Sequence, residues 1–307
     1  MTLYIIISIV SLLVLLLASD WFIDAAEKIG LSLGISPFII GVTIVAFGTS
    51  LPELATSIAS VYSGESEIVA GNVVGSNIAN ILLVLGLTAF VGKSSIKLDF
   101  NVWEIDMPML IGSAILLFFA LWDMKLDYIE ATVFLIALAA FLINSVKGSK
   151  EENLEKTKVR TNDIVKLIIG GIMVCVGAKY TIFGIEKIAE ITEIAPEFFS
   201  LTFIALGTSL PEVVVSIAAG RRGKHAIAVG NVLGSNIFNT YAVMSIPRFL
   251  DDLVITEDIT QLGIPFMLAA TVLFGVITIS RNISKWEGLI LLLMYVFYIS
   301  ELYKTII

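Results

Sequence analysis

One cysteine and one histidine in 307 residues leave this chain without a disulfide framework, and without the thiolate or multi-histidine sets that hold zinc or copper. His225 stands beside Arg221, Arg222 and Lys224, where it reads as a solvated loop residue. Charge is scarce as well. Only 15% of residues are Asp, Glu, Lys or Arg, against about a quarter in a soluble domain. The chain has no Ser–His or Cys–His pairing and no phosphate-binding glycine loop, so it does not read as an enzyme, and no cofactor is expected.

Apolar residues take up the difference: 57% of the chain, with a mean hydropathy of +0.96. Several apolar runs reach the ~20 residues that cross a ~30 Å hydrocarbon core. Reading the runs between breaks predicts ten helices, at 3–29, 37–62, 68–91, 103–122, 127–146, 164–189, 196–220, 225–249, 260–280 and 286–304. The polar linker 147–163 separates a first five-helix unit, 1–146, from a second, 164–307. Leu3 to Ala18 lacks the basic start of a signal peptide, and its continuation has a counterpart later in the chain, so it is expected to be retained.

Basic residues suggest the orientation. Lys28, Lys97, Arg221, Arg222, Lys224, Arg281 and Lys285 fall on the side of the linker, while the opposite side holds only Lys125, Lys187, Arg248 and Lys304. Basic loops mark the cytoplasmic side. The expectation is a multi-pass protein of the cell membrane with N- and C-termini outside and the linker inside. Acidic residues such as Glu65, Asp123, Asp127, Asp251 and Asp252 then lie at the outer face, either as ordinary solvated charge or as an attractor for cations.

An internal repeat carries the functional argument. Thr43-Ile-Val-Ala-Phe-Gly-Thr-Ser-Leu-Pro-Glu53 returns as Thr202-Phe-Ile-Ala-Leu-Gly-Thr-Ser-Leu-Pro-Glu212. Gly71-Asn-Val-Val-Gly-Ser-Asn-Ile-Ala-Asn80 returns as Gly230-Asn-Val-Leu-Gly-Ser-Asn-Ile-Phe-Asn239. Both pairs share one offset of 159 residues, which also places Pro37 on Pro196. Equivalent points are separated by five predicted helices, an odd number, so the two copies are inverted in the membrane. Inverted repeats are a common plan of secondary transporters. The predicted fold is therefore an all-α integral membrane protein of two inverted five-helix repeats, kinked in helices 2 and 7.

The repeated residues are hard oxygen donors. Pro52 lacks an N–H, and its ring clashes with the Gly48 carbonyl, so the second helix must kink or open there. Thr49, Ser50 and Glu53 are expected to share one helical face, as are Thr208, Ser209 and Glu212 in the copy. In the third helix Asn72, Ser76 and Asn80 form a polar stripe, repeated as Asn231, Ser235 and Asn239, with Gly71, Gly75, Gly230 and Gly234 allowing close packing. A carboxylate at membrane depth costs at least ~2.5–3.5 kcal/mol. No basic residue repeats beside Glu53 and Glu212, which points to a mobile cation; a protonated structural glutamate is the alternative. Oxygen-only ligation suits Na⁺, Ca²⁺ or Mg²⁺. For Asn72, Asn77, Asn231 and Asn236 the simpler reading is interhelical hydrogen bonding. Asp20 and Lys179, its counterpart, read as interfacial, and Glu130 and Glu287 as helix N-terminal charges.

The paired G-T-S-L-P-E and G-N-x-x-G-S-N-I-x-N motifs, set in inverted halves, resemble the alpha-repeats of the cation/calcium exchanger superfamily, specifically its prokaryotic sodium/calcium exchangers. That resemblance implies antiport of sodium against calcium, with the lipid bilayer and the two ions as partners and no obligate protein partner. It implies a calcium site of Glu53, Glu212 and the Thr49 and Thr208 carbonyls. It further implies flanking sodium sites of Ser50, Ser76, Ser209, Ser235 and the Ala46 and Ala205 carbonyls, with Asn80 and Asn239 lining a middle position. The first and sixth helices would slide across the other eight. Some relatives, potassium-dependent exchangers among them, carry an aspartate where this chain has Asn239, which argues against potassium co-transport; the electrogenic three-for-one stoichiometry that the resemblance implies is compatible with two carboxylates. A calcium/proton antiporter is the nearest rival, although the G-N-x-x-E signature of that branch is absent, and a cation channel is the rival from another class.

Overall fold

In hydrocarbon a chain must satisfy its own N–H and C=O groups, and for a single apolar run the α-helix does so. A computed structural model of the chain describes residues 1–92, 95–98, 102–103, 106–148, 159–191 and 207–306, and helix dominates throughout. In chain order the helices are α1 (Thr2–Ser32), α2 (Pro37–Tyr62), α3 (Glu67–Val91), α4 (Asp106–Ala120), α5 (Tyr128–Gly148), α6 (Thr161–Ile191), α7 (Leu210–Arg221), α8 (His225–Phe238), α9 (Ile259–Ile279) and α10 (Lys285–Ile306). Among the described residues, seven of these are long and apolar enough to cross a membrane: α1, α2, α3, α5, α6, α9 and α10. The shorter α4, α7 and α8 lie within predicted spans. The start of the predicted span 196–220, most of the linker and Ala205 lie outside the described residues.

Local chemistry fixes several helix ends. Ser36 caps α2, its Oγ accepting from the Ile39 N–H, and Pro37 follows where its missing N–H costs nothing. Gly64 and Gly223 end α2 and α7 with φ of 79° and 74°; the two are repeat counterparts, and a Cβ would strain both. Glu130 and Glu287 do more than favour a helix dipole. Asp127 N–H donates to Glu130 Oε2 at 2.8 Å while Glu130 N–H donates back to Asp127 Oδ1 at 2.7 Å. Ser284 and Glu287 make the same reciprocal pair, so both helices start on capping boxes.

The centre of the bundle is built on α3 and α8, which are buried along most of their length. Close approach there depends on glycine: a Cβ at Gly230 or Gly234 would overlap the α2 backbone at Phe38 and Val42. Gly71, expected to play the same part, does not. The nearest atom to its Cβ position is Ile259 Cδ1 at 3.8 Å, ordinary contact. By contrast α1 and α6 expose Leu, Ile and Val over much of their surface, as lipid-facing helices must.

These two outer helices pack antiparallel along nearly their whole length. A Cβ at Gly170, Gly177 or Gly184 would run into Phe22, Leu15 and Ser8, and the Thr181 hydroxyl donates to Ser11 Oγ at 3.0 Å. In every one of these pairs the two residue numbers sum to 192, so one register holds throughout. Glycines seven apart keep facing the partner, the repeat of a left-handed helix pair.

Loops sort onto two faces. On one, Arg222 and Lys224 bind Asp24 of α1, and His225 Nδ1 accepts from the Lys97 N–H at 3.2 Å. The strand β1 (Ile96–Lys97) pairs antiparallel with β2 (Asn282–Ile283) on the same face. His225 thus opens α8 and ties it to a strand, rather than standing as a solvated loop residue. On the opposite face Arg248 bonds the Leu126 carbonyl and lies 3.9 Å from the Tyr128 ring centroid, while Ser66 Oγ accepts from the Val254 N–H.

Candidate cation site

Pro52 breaks α2 where the sequence predicts. A helical turn ends at Thr49, Ser50 adopts φ −90°, ψ 6°, and helix resumes at Leu51. The copy behaves alike: Ser209 has φ −82°, ψ 2°, and α7 begins at Leu210. Each break places a glutamate, Glu53 or Glu212, in the first turn of the half-helix that follows. The positive end of that half-helix dipole favours the carboxylate. The Gly48 carbonyl, which Pro52 frees from its usual N–H partner, faces Cys175 Sγ of α6 at 3.9 Å. Upstream, Gly41–Val45 forms a π-helical turn that no sequence pattern announces.

Asn80 and Asn239 each open a π-helical stretch, Asn80–Leu85 within α3 and Asn239–Val243 following α8. π-turns often sit at functional positions, because the widened turn redirects side chains. Both asparagines are fully buried.

The two copies of the motif meet across the centre. Ser50 Oγ donates to Glu212 Oε1 at 3.1 Å. Thr49 Oγ1 lies 3.5 Å from Ser235 Oγ, and in mirror fashion Ser76 Oγ lies 3.4 Å from Thr208 Oγ1. Asn80 Nδ2 donates to Asn236 Oδ1 at 3.1 Å. The expectation that Thr49, Ser50 and Glu53 share one face of a continuous helix is corrected here. The break at Ser50 turns Ser50 toward Glu212, and Thr49 donates to Asn231 Oδ1 at 3.1 Å and to the Ala46 carbonyl at 3.3 Å. The Ala46 carbonyl also accepts the Ser50 N–H.

Glu53, Glu212, Thr49, Ser50, Ser76, Asn80, Ser209, Ser235 and Asn239 all have no exposed surface, and Thr208 is half-buried. Neither oxygen of Glu53 has a hydrogen-bond partner, nor do Glu212 Oε2, Ser209 Oγ, Asn80 Oδ1 or the Asn239 amide. A buried carboxylate left so costs several kcal/mol unless positive charge reaches it (roughly the cost of an unpaired ion in a low-dielectric interior). Among the described residues no lysine or arginine pairs with either glutamate. The converging groups are oxygens, the donor set of hard cations.

Asn72 and Asn231 follow the interhelical reading. Asn72 Nδ2 donates to Ser57 Oγ at 3.0 Å and to the Glu53 carbonyl at 3.2 Å, and Asn231 Nδ2 donates to Ser216 Oγ at 2.9 Å. Ser57 and Ser216 are supporting residues that sequence reading missed, though both stand four residues after the repeated glutamate. Asn77 Nδ2 reaches Thr240 Oγ1 at 2.9 Å; the repeat counterpart of Thr240 is Ile81, so no signal marks it.

A cavity of 680 Å³ approaches the site between α2, α6 and α7. Its walls include Pro52, Thr208 and Pro211 from the motifs, and Cys175 and Lys179 from α6. Lys179, expected at an interface, is thus part of the approach. On the face of the basic loops its counterpart Asp20 pairs with Arg222 at 3.3 Å. Arg222 binds Asp24 bidentately, at 2.7 and 2.8 Å, and these hydrogen bonds raise its pKa above the usual arginine value.

Comparison with known proteins agrees with this geometry. The family profile described as "Sodium/calcium exchanger protein" matches residues 3–147 and 163–304. The sodium/calcium exchanger MaX1 of Methanosarcina acetivorans is 31% identical, covering 97% of each chain. An uncharacterized membrane protein of Methanocaldococcus jannaschii is 34% identical over 96% of each. A solved structure of the sodium-calcium exchanger NCX_Mj, soaked with zero Na⁺ and Ca²⁺, superposes with a TM-score of 0.84 at 31% identity, covering 98% of this chain and 99% of that one.

Proposed function

Because the chain belongs to the sodium/calcium exchanger protein family, whose members are membrane transporters rather than enzymes, we propose that it exchanges Na⁺ for Ca²⁺ by alternating access. The observation that carries this reading is the pair Glu53 and Glu212. They are repeat counterparts with no exposed surface, and three of their four carboxylate oxygens have no hydrogen-bond partner.

Calcium is held between Glu53 and Glu212 with the help of Thr49 and Thr208. Ser50, Ser76, Ser209 and Ser235 and the carbonyls of Ala46 and Ala205 complete flanking sodium positions, and Asn80 and Asn239 line the middle. Two carboxylates balance one Ca²⁺, whereas three Na⁺ leave one positive charge in excess, so exchange is electrogenic. Asn239 supplies an amide rather than a third carboxylate, which favours independence from potassium. Sodium and calcium compete for overlapping oxygens, and an empty, doubly charged site resists dehydration. Residues 1–146 and 164–307 act as the two inverted halves. The basic loops that share one face support a cytoplasmic linker, with both termini outside.

The test is calcium uptake into proteoliposomes loaded with sodium, beside potassium-loaded and acid-loaded vesicles. Uptake that needs the sodium gradient, moves one net positive charge out of the vesicle per Ca²⁺ taken up, and is lost in Glu53→Gln and Glu212→Gln supports the reading. Uptake driven by the acid gradient replaces it with proton antiport, and uptake in every condition replaces it with a channel.

A further inference from the structure

We propose that Lys179 is a selectivity residue, a positive charge in the approach to the site that weakens the binding of a divalent cation more than that of a single monovalent one. The proposal rests on the exchange reading above and concerns how the ions are told apart on their way in.

Four observations converge. Lys179 lines the same cavity as Pro52, Thr208 and Pro211, and it is the one charged residue among the described lining residues. It lies one helical turn beyond Cys175, whose Sγ faces the freed Gly48 carbonyl at the break in α2. Among the described residues no carboxylate forms an ion pair with it. Its repeat counterpart, Asp20, has the opposite sign and is bound to Arg222 on the other face. The motif residues that reach the centre are the same in both halves, but the charges at the counterpart positions 20 and 179 are opposite.

A fixed positive potential multiplies a cation's binding constant by a Boltzmann factor in which the ion's charge appears in the exponent. Whatever factor it imposes on Na⁺, it imposes the square of that factor on Ca²⁺. Ion for ion, Lys179 therefore loosens Ca²⁺ more than Na⁺ without touching either, while a full set of three Na⁺ bears the cube of the factor. The orientation proposed above puts this approach on the outer side, where a looser hold on calcium favours its release. A lysine that served only to cover apolar surface with its methylene stem would treat both ions alike.

The test compares full-length wild type, Lys179→Met and Lys179→Arg as purified protein, with equilibrium binding of radiolabelled Ca²⁺ and Na⁺ as the readout. Lys179→Met keeps the stem and removes the charge. It is expected to tighten Na⁺ binding roughly two- to threefold and Ca²⁺ binding by the square, roughly four- to ninefold. Lys179→Arg is expected to match wild type, and the effect of Lys179→Met is expected to shrink as choline chloride is raised to about 0.5 M. Equal factors for both ions, an arginine variant that behaves like the methionine one, or no change at all overturns the proposal. Because the readout is binding, wild-type protein that binds both ions with this ratio but fails to exchange them in vesicles overturns the exchange reading alone.

Discussion

Ser50 donates its hydroxyl to Glu212 at 3.1 Å, whereas Ser209, its counterpart in the other half, has no hydrogen-bond partner and leaves both oxygens of Glu53 bare. The sequence is symmetric at these positions, and the hydrogen bonding is not. A hydrogen bond to a charged group contributes about 1.5–3 kcal/mol. Ser50→Ala should therefore destabilise the ion-free protein by about that much, and Ser209→Ala by less than about 0.5 kcal/mol. Denaturant titration of the purified variants in sodium- and calcium-free detergent solution checks the pair, and equal losses would contradict the asymmetry.

Glu53→Gln and Glu212→Gln remove charge while keeping shape. Each should leave a folded protein and reduce calcium uptake more than about a hundredfold, since losing one partner of a buried charged set costs about 3–5 kcal/mol. Uptake measured beside a size-exclusion profile separates loss of function from loss of fold.

Asn239→Asp would place a third carboxylate among the buried oxygens. It should tighten calcium binding at least about tenfold, because an added charge within about 6 Å contributes more than 1.4 kcal/mol even at an effective dielectric of 20. Wild-type exchange should not respond to potassium. Binding of radiolabelled calcium and uptake with and without potassium read the two expectations separately.

Gly234→Ala should fail where Gly71→Ala succeeds. The first drives a methyl group into the Val42 backbone, and the second meets Ile259 Cδ1 at an ordinary 3.8 Å. Overpacking of this kind costs about 1–3 kcal/mol and displaces α2 against α8, next to the site. Thermal unfolding and uptake should fall together for Gly234→Ala and stay near wild type for Gly71→Ala.

Arg222→Gln breaks the bonds to Asp20 and Asp24 but should cost little. The side chains are 34%, 51% and 41% exposed, so water and salt screen the cluster, and surface pairs contribute only about 0–1 kcal/mol. A change of at most about fivefold in the balance of the two access states is expected, shrinking with ionic strength. Accessibility of a cysteine introduced at Ala59, in the cavity between α2, α6 and α7, to a membrane-impermeant thiol reagent in a Cys175→Ala background measures that balance.

Most of the site could be read from the sequence because its chemistry is coded in residue type. Two copies of Thr-Ser-Leu-Pro-Glu state that oxygens gather around a broken helix, whatever the packing. The pairing of those oxygens could not be read. Thr49 turns to Asn231 and Ser50 to Glu212 because a break swings the helix before and after it through different angles, and a helical wheel assumes no break. The π-turns at Gly41, Asn80 and Asn239 leave no mark in composition. The register between α1 and α6 was hidden for another reason. Lipid tails and helix partners are equally apolar, so hydrophobicity does not distinguish the face of α6 that meets α1. His225, read as a loop residue from its basic neighbours, is ordered by a strand more than a hundred residues away.

The seam between α1 and α6 has a mechanical consequence. Three glycines, seven apart, seat Phe22, Leu15 and Ser8, and a shift of one against the other would lift all three from their seats at once and part Ser11 from Thr181. In the alternating access proposed above, the two helices therefore travel as one rod rather than as two. A rod with its two ends on opposite sides of the membrane cannot withdraw from one without advancing on the other, so the stroke that uncovers one mouth seals the second. Protection against a leak is then built into the linkage itself, ahead of anything the ions do.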